Sequence, residues 1–221
     1  MKIRLRYAKG DEIKYISHLD TLKLFERASR RCGLPVAYTE GFNPRPRFVF
    51  GNPLPLGVTS ECEFVDVYLD KDMIPEEVFR DLNSVMPKGL RILDGKALSA
   101  NADNIMNEVS RSEYVVKVEM SGDDARKVIE LYESNSPLVI VKKSKNRERE
   151  VDIRPMIHSL EFNDQAFHII TDAGNTSNLR PEVALIALCE HAGVNVKITG
   201  IHRTKLFKVS ELLEYGKGTG N

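Results

Sequence analysis

Ser17-His18-Leu19-Asp20-Thr21-Leu22-Lys23-Leu24-Phe25-Glu26-Arg27-Ala28-Ser29-Arg30-Arg31-Cys32-Gly33 is the stretch from which the rest of the chain is read. A small hydroxyl residue followed three positions later by an acid marks a helix start, because each side chain can satisfy a backbone N–H left free in the first turn. Ser17 is therefore expected at the N-cap, His18 on the first turn and Gly33 just past the end. On that helix Leu22, Phe25, Ala28 and Cys32 can share one side, while Lys23, Arg27, Arg30 and Arg31 crowd another. The plain account of such a stripe is a solvated helix face; the second basic element that follows points further.

That element is Gly41-Phe42-Asn43-Pro44-Arg45-Pro46-Arg47, which leads to Pro53-Leu54-Pro55-Leu56-Gly57. Pro44 and Pro46 remove backbone donors and bias Asn43 and Arg45 toward extended conformations. A stiff loop displaying Arg45 and Arg47 is the expectation.

Outward from this stretch, hydrophobic period gives the remaining elements. Ile3, Leu5 and Tyr7 alternate with Lys2, Arg4 and Arg6 as in a half-buried strand. After the first helix come a brief strand at 34–38, strands at 48–50 and 62–69, a helix at 76–85 opened by Pro75, and a strand at 90–93. A polar stretch at 99–110 reads as a linker. Beyond it the order recurs: strand 114–120, helix 123–134, strand 138–142, a hairpin from 153–160 and 166–171, helix 181–192 and a final strand region at 194–207. Each half has the split β-α-β order within an α+β class, so the expected architecture is two tandem ferredoxin-like (βαββαβ) domains with antiparallel sheets. Their bounds are 1–98 and 111–215, with 216–221 a frayed tail.

Composition narrows the function classes. With 221 residues, 42% apolar and 29% charged, the chain is an ordinary globular sequence with no apolar run long enough to cross a bilayer. The first residues read as a strand and not as a secretion signal, so a cytoplasmic location is expected. Three scattered cysteines, Cys32, Cys62 and Cys189, make neither a disulfide framework nor a zinc ribbon nor a cluster-binding triplet. No metal or cofactor is called for. Net charge is zero overall, but residues 1–60 carry +6 and residues 61–110 carry −6. A basic front of that kind can steer a polyanion.

The second half adds Lys142, Lys143, Lys145, Arg147 and Arg149 in a turn-like run between strands, with Arg154-Pro155 after it and His202-Arg203-Thr204 on the last strand. Together with Lys23, Arg27, Arg30, Arg31, Asn43, Arg45 and Arg47, these residues (Arg149 apart) form the candidate RNA-binding set. Two sheets carrying such elements can line a groove for a phosphate backbone. Glu61, Glu63 and Asp66 are expected to pair with Arg45 or Arg47. For chemistry, His18 is the candidate, with Asp20 beside it: a helix N-terminus disfavours imidazolium and leaves a neutral ring able to act as a base. With no nucleophile at a recognisable spacing, a binding or structural role for His18 is preferred to catalysis.

The Ser17-His18-Leu19-Asp20 string, Gly33-Leu34-Pro35, Gly41-Phe42-Asn43-Pro44, Pro53 to Gly57, Asp152-Ile153-Arg154-Pro155 and Ile201-His202-Arg203-Thr204 resemble a radical SAM-linked protein family of unknown function, over most of the chain. Members of that family are fused to a radical SAM protein or encoded beside one. The resemblance implies a radical SAM protein as partner. Arg45 departs from the family pattern, which has His there, and this weakens a catalytic histidine in the loop. The tandem topology is also similar to that of CRISPR repeat-processing endoribonucleases, an analogy of fold alone. The resulting expectation is a radical SAM-associated accessory protein that binds structured RNA, tRNA or rRNA. The alternatives are a metal-independent endoribonuclease or RNA-modification subunit using His18, and a docking module for a radical SAM enzyme.

Overall fold

The computed structural model describes residues 1–99, 101–144 and 147–208, with the side chains of Lys143, Ser144 and Arg147 left aside. Lys145 and the expected tail at 216–221 lie outside the described residues. The chain divides into two compact units, one of Met1–Val109 with Lys208 added, the other of Ser110–Phe207. Among the described residues five α-helices accompany mainly antiparallel strands, and no helix is long and apolar enough to cross a membrane.

In the first unit, β1 (Lys2–Lys9) lies between two neighbours and α1 (His18–Arg31) follows. Ser17 caps α1, its Oγ accepting from the Asp20 N–H at 3.1 Å and donating to the Asp20 carboxylate at 2.7 Å. At the other end Gly33 takes φ +69°, and the Leu34 N–H reaches back to the Ser29 carbonyl at 2.9 Å, which closes the last turn. β2 (Phe48–Phe50), β3 (Thr59–Tyr68), α2 (Pro75–Asn83) and β4 (Leu90–Leu98) complete the unit, with strand order β4-β1-β3-β2 and every pairing antiparallel. Leu5 opposes Val65 on one side and Gly95 on the other; a Cβ on Gly95 would come within 2.6 Å of Leu5 Cδ2, so a larger residue there would have to displace the buried Leu5 side chain. Phe25 of α1 packs edge-on to Tyr7, Phe48 and Phe50, fixing the helix over the sheet.

Two local expectations change. Residues 34–38 make only single bridges, Val36 to Leu69 and Tyr38 to Pro46, because the nearby prolines interrupt a ladder. The segment read as a linker is bound to the first sheet: it holds α3 (Ile105–Glu108), and the Ile105 side chain is fully buried. Its anchor is Asp66, 0% exposed, which accepts from Arg4 Nε at 2.6 Å and from the Ile105 N–H at 3.0 Å. Arg4 also meets Glu108 at 2.6 Å, and Lys2 donates to the carbonyls of Ala102 and Asp103. Over Lys2 to Leu5, β1 is consequently buried on both faces, and Lys2 and Arg4 on its polar side are satisfied ions under a strap.

The second unit runs β5 (Val109–Glu119), α4 (Gly122–Glu133), β6 (Val139–Ser144), β7 (Arg147–Asp152), β8 (Ile157–Asn163), β9 (Ala166–Asp172), α5 (Pro181–His191) and β10 (Lys197–Lys208). Its main sheet has the order β10-β5-β9-β8, while β6 and β7 form a separate two-stranded ribbon. Val116, Phe167, Ile169, Leu185 and Leu188 are buried at its centre. Of the basic run at 142–149, residues 142–144 and 147–149 thus belong to this ribbon and not to a loop between strands of the main sheet.

Candidate nucleic-acid interface

α1 and the proline loop face each other across a groove of about 460 Å³ in the first unit. Leu19, Leu22, Lys23, Glu26 and Arg30 line it from the helix, and Tyr38, Pro44, Arg45 and Pro46 from the loop. The loop wall is held from within. The Thr39 N–H donates to the Arg45 carbonyl at 2.9 Å, the Arg45 N–H donates to Thr39 Oγ1 at 3.0 Å, and the Arg47 N–H donates to the Ala37 carbonyl at 2.8 Å. Gly41 turns the tip at φ +114°, a conformation other residues rarely adopt. Asn43 is exposed at that tip, and the Phe42 ring beside it is 105% exposed.

The groove gathers three of the expected cations. Lys23, Arg30 and Arg45 are exposed, against one carboxylate in the lining, Glu26. Lys23 lies 3.5 Å from Asp20, an exposed pair of the kind that contributes little, and Arg30 Nε donates to the Glu26 backbone carbonyl at 3.2 Å. Arg27 is exposed on α1 but does not line the groove. Arg31 donates to the Val85 carbonyl beyond α2, and the Arg47 guanidinium lies 4.1 Å above the Tyr68 ring. The expected acidic partners go elsewhere: Asp66 binds Arg4, Glu63 is buried, and Glu61 is exposed and offers its backbone carbonyl to Arg6.

In the second unit two candidates are engaged within the fold. Arg203 is 1% exposed, and its guanidinium donates to the Tyr114 hydroxyl at 2.9 Å. Arg154 donates to the carbonyls of Ile157 and Tyr132 and lies 4.1 Å above the Tyr132 ring, tying α4 to the start of β8. Both are engaged by groups of the second unit itself. His202 is half-buried on β10, and Lys142 is exposed on β6, opposite Arg149 in register. Lys143 and Arg147 stand in the same ribbon by backbone position, and Lys145 falls outside the described residues.

His18 and Asp20 part company. Asp20 is exposed, and its hydrogen bond with Ser17, helped by Lys23, holds its carboxyl below the usual carboxylate range. The His18 ring is half-buried, edge-on to Phe50 at 5.2 Å, and does not line the groove. Burial holds its pKa below 6.5, with nearby Lys9 adding to the effect and Glu63 opposing it. Lys9, 3% exposed, donates to the Ile16 carbonyl at 2.8 Å, and burial lowers its pKa too. Lys9 and Glu63 escape a reading by charge alone. The strand period carries the signal, since Lys9 shares its face of β1 with Ile3, Leu5 and Tyr7, and Glu63 shares its face of β3 with Val65 and Val67. Among the described residues no group of three or more His, Cys, Asp or Glu side chains is arranged to hold a metal ion.

Residues 2–181 match the family described as Uncharacterized protein conserved in bacteria (DUF2344), and the chain belongs to it. No curated protein matches the chain. Among solved structures it is similar to a Cbf5-Nop10-Gar1 complex, with TM-score 0.48, 13% identity, and 94% of this chain and 50% of that chain covered. It is similar also to an H/ACA RNP bound to a substrate RNA containing 2'-deoxyuridine, with TM-score 0.47, 12% identity and 94% and 49% covered. A third is the archaeal box H/ACA sRNP Nop10-Cbf5 complex, with TM-score 0.45, 11% identity and 93% and 48% covered. The chain spans about half the length of these matched chains, and likenesses at these scores decide nothing about its activity.

Proposed function

We propose that this chain is an accessory protein that binds structured RNA, tRNA or rRNA, through the α1 and proline-loop groove of its first unit. Each unit is read as a ferredoxin-like domain, and the protein as a cytoplasmic partner of a radical SAM protein. The observation that carries the RNA reading is the meeting of Lys23 and Arg30 from a capped helix with Arg45 from a proline-stiffened loop on one groove that also exposes Tyr38. Cations separated by more than a dozen residues of sequence face one concave surface with a single carboxylate among them, a composition that favours an anionic occupant. The ribbon cation Lys142 is a second, peripheral contact in this reading. The radical SAM partnership is supported by the sequence motifs alone, and co-purification from cells expressing both chains tests it.

Filter binding of purified protein to tRNA and to rRNA fragments over a salt series tests the RNA reading. Affinity should fall linearly in a log–log plot against salt, and the Arg30→Glu/Arg45→Glu double variant should bind at least about tenfold more weakly, with a shallower slope. Wild-type affinity that does not change with salt, or an unaltered double variant, sinks the proposal.

A further inference from the structure

The groove has more character than a phosphate slot. Leu19, Leu22, Pro44 and Pro46 give it apolar walls, and Tyr38 is 49% exposed. Its volume of about 460 Å³ lies in the range of sites that take one small ligand. Duplex RNA offers proteins mainly phosphates and 2′-hydroxyls, which gain nothing from an apolar wall, whereas an unpaired base has a flat face for an aromatic ring. Glu26 repels phosphate, so within the lining the favoured places for phosphate are at Lys23, Arg30 and Arg45, and for a base at the apolar and aromatic residues.

We infer that the groove takes an unpaired nucleotide, its base stacked on Tyr38 and its flanking phosphates held by Lys23, Arg30 and Arg45. This rests on the RNA-binding reading and names the segment of RNA that the groove selects: a loop, bulge or end. Phe42, fully exposed two residues before Pro44, is a second stacking surface on the same loop. The wall is already set by the Thr39 and Arg45 hydrogen bonds and by two prolines, so little ordering is left to be done on binding. Tyr38 meets Pro46 through a backbone bridge, so its side chain can be removed without undoing that contact.

The test is fluorescence anisotropy at fixed salt with a labelled single-stranded RNA of about ten nucleotides, and with the same sequence as a blunt duplex. The variants are Tyr38→Ala, Tyr38→Phe, Phe42→Ala and Arg30→Glu/Arg45→Glu, each confirmed as folded by circular dichroism. The single strand should bind at least about tenfold tighter than the duplex; Tyr38→Ala should weaken it by about 5- to 100-fold and Tyr38→Phe by less than about threefold. Phe42→Ala should weaken the single strand and leave the duplex unchanged. Equal binding of both RNAs, with Tyr38→Ala unchanged while Arg30→Glu/Arg45→Glu still loses affinity, overturns the stacking inference and leaves the RNA reading standing. Wild-type protein that binds neither RNA overturns both, and binding of a polyglutamate peptide in its place would assign the groove to an acidic protein partner.

Discussion

Arg45 and Arg203 are both cations placed beside tyrosines, yet the two units treat them in opposite ways. In the first unit Arg45 is exposed, its backbone engaged with Thr39, on the wall of the groove that Tyr38 shares. In the second unit Arg203 is among the largest fully buried side chains, its guanidinium held to the Tyr114 hydroxyl. Arg154 repeats the second pattern with two carbonyls and a ring. A basic residue in sequence is therefore a donor set whose acceptors are undecided. Where strands or helix ends bring carbonyls, hydroxyls or carboxylates within reach, the cation becomes internal framework. Where a stiff loop faces a helix with few acceptors, it stays available for a ligand.

The largest effect should come from unbalancing an internal set. Asp66→Ala leaves Lys2 and Arg4 without their shared carboxylate beneath α3, and the folded state should lose about 3–5 kcal/mol in urea unfolding. Retention of wild-type stability would show that the strap at 101–108 is held by something other than ions. Next is Arg203→Ala, which removes a buried side chain and strands the Tyr114 hydroxyl, for a cost of roughly 2–4 kcal/mol. RNA affinity per folded molecule should be unchanged in this variant. A selective loss of affinity at full stability would place Arg203 with the groove cations and break the contrast between the units.

Much of the first unit is legible in its sequence. The cap at Ser17, the turn at Gly33, the alternation of β1 and the stop after α2 are local signals, and local hydrogen bonds decide them. The polar face of β1 is not legible, because it depends on a segment a hundred residues away folding over it. The same holds at the site. That Lys23, Arg30 and Arg45 converge follows from how α1 packs through Phe25 onto Phe50 and from the bridges of Tyr38 and Val36, none of which has a periodic signature. Of the β6–β7 ribbon only the first strand, at 138–142, is legible, and it reads as part of the regular strand order, since strand spacing does not distinguish a ribbon from a member of the main sheet; the charged second strand reads as a turn-like run.

His18 stands between the buried and the free cations. Its pKa in the fold lies below 6.5, so between those two values the unfolded chain binds a proton that the fold does not. The associated stability is complete above about pH 6.5 and is lost as pH falls through the lower folded value. Urea midpoints should fall more steeply with acidification in wild type than in His18→Gln. Identical slopes would mean that the ring protonates freely where it sits. This effect should be smaller than that of either buried substitution, because the ring is only half-buried.

The smallest effect is the sharpest on the comparison, because it concerns a cation that is exposed and yet not in the groove. Lys142 faces Arg149 across the β6–β7 ribbon, and like charges directly opposite one another destabilise a strand pair. Lys142→Glu turns that pair into an attractive one and should stabilise the protein by a few tenths of a kcal/mol at low salt. The gain should fade toward molar salt, where screening acts within about 3 Å. If the ribbon only decorates the surface, the variant binds RNA as wild type does. If it is a peripheral contact, affinity falls by about the share of one phosphate, far less than for Arg30→Glu/Arg45→Glu, and the salt slope drops by about 1. A natural sequence that keeps two cations face to face at a cost in stability is then explained by the anion that separates them.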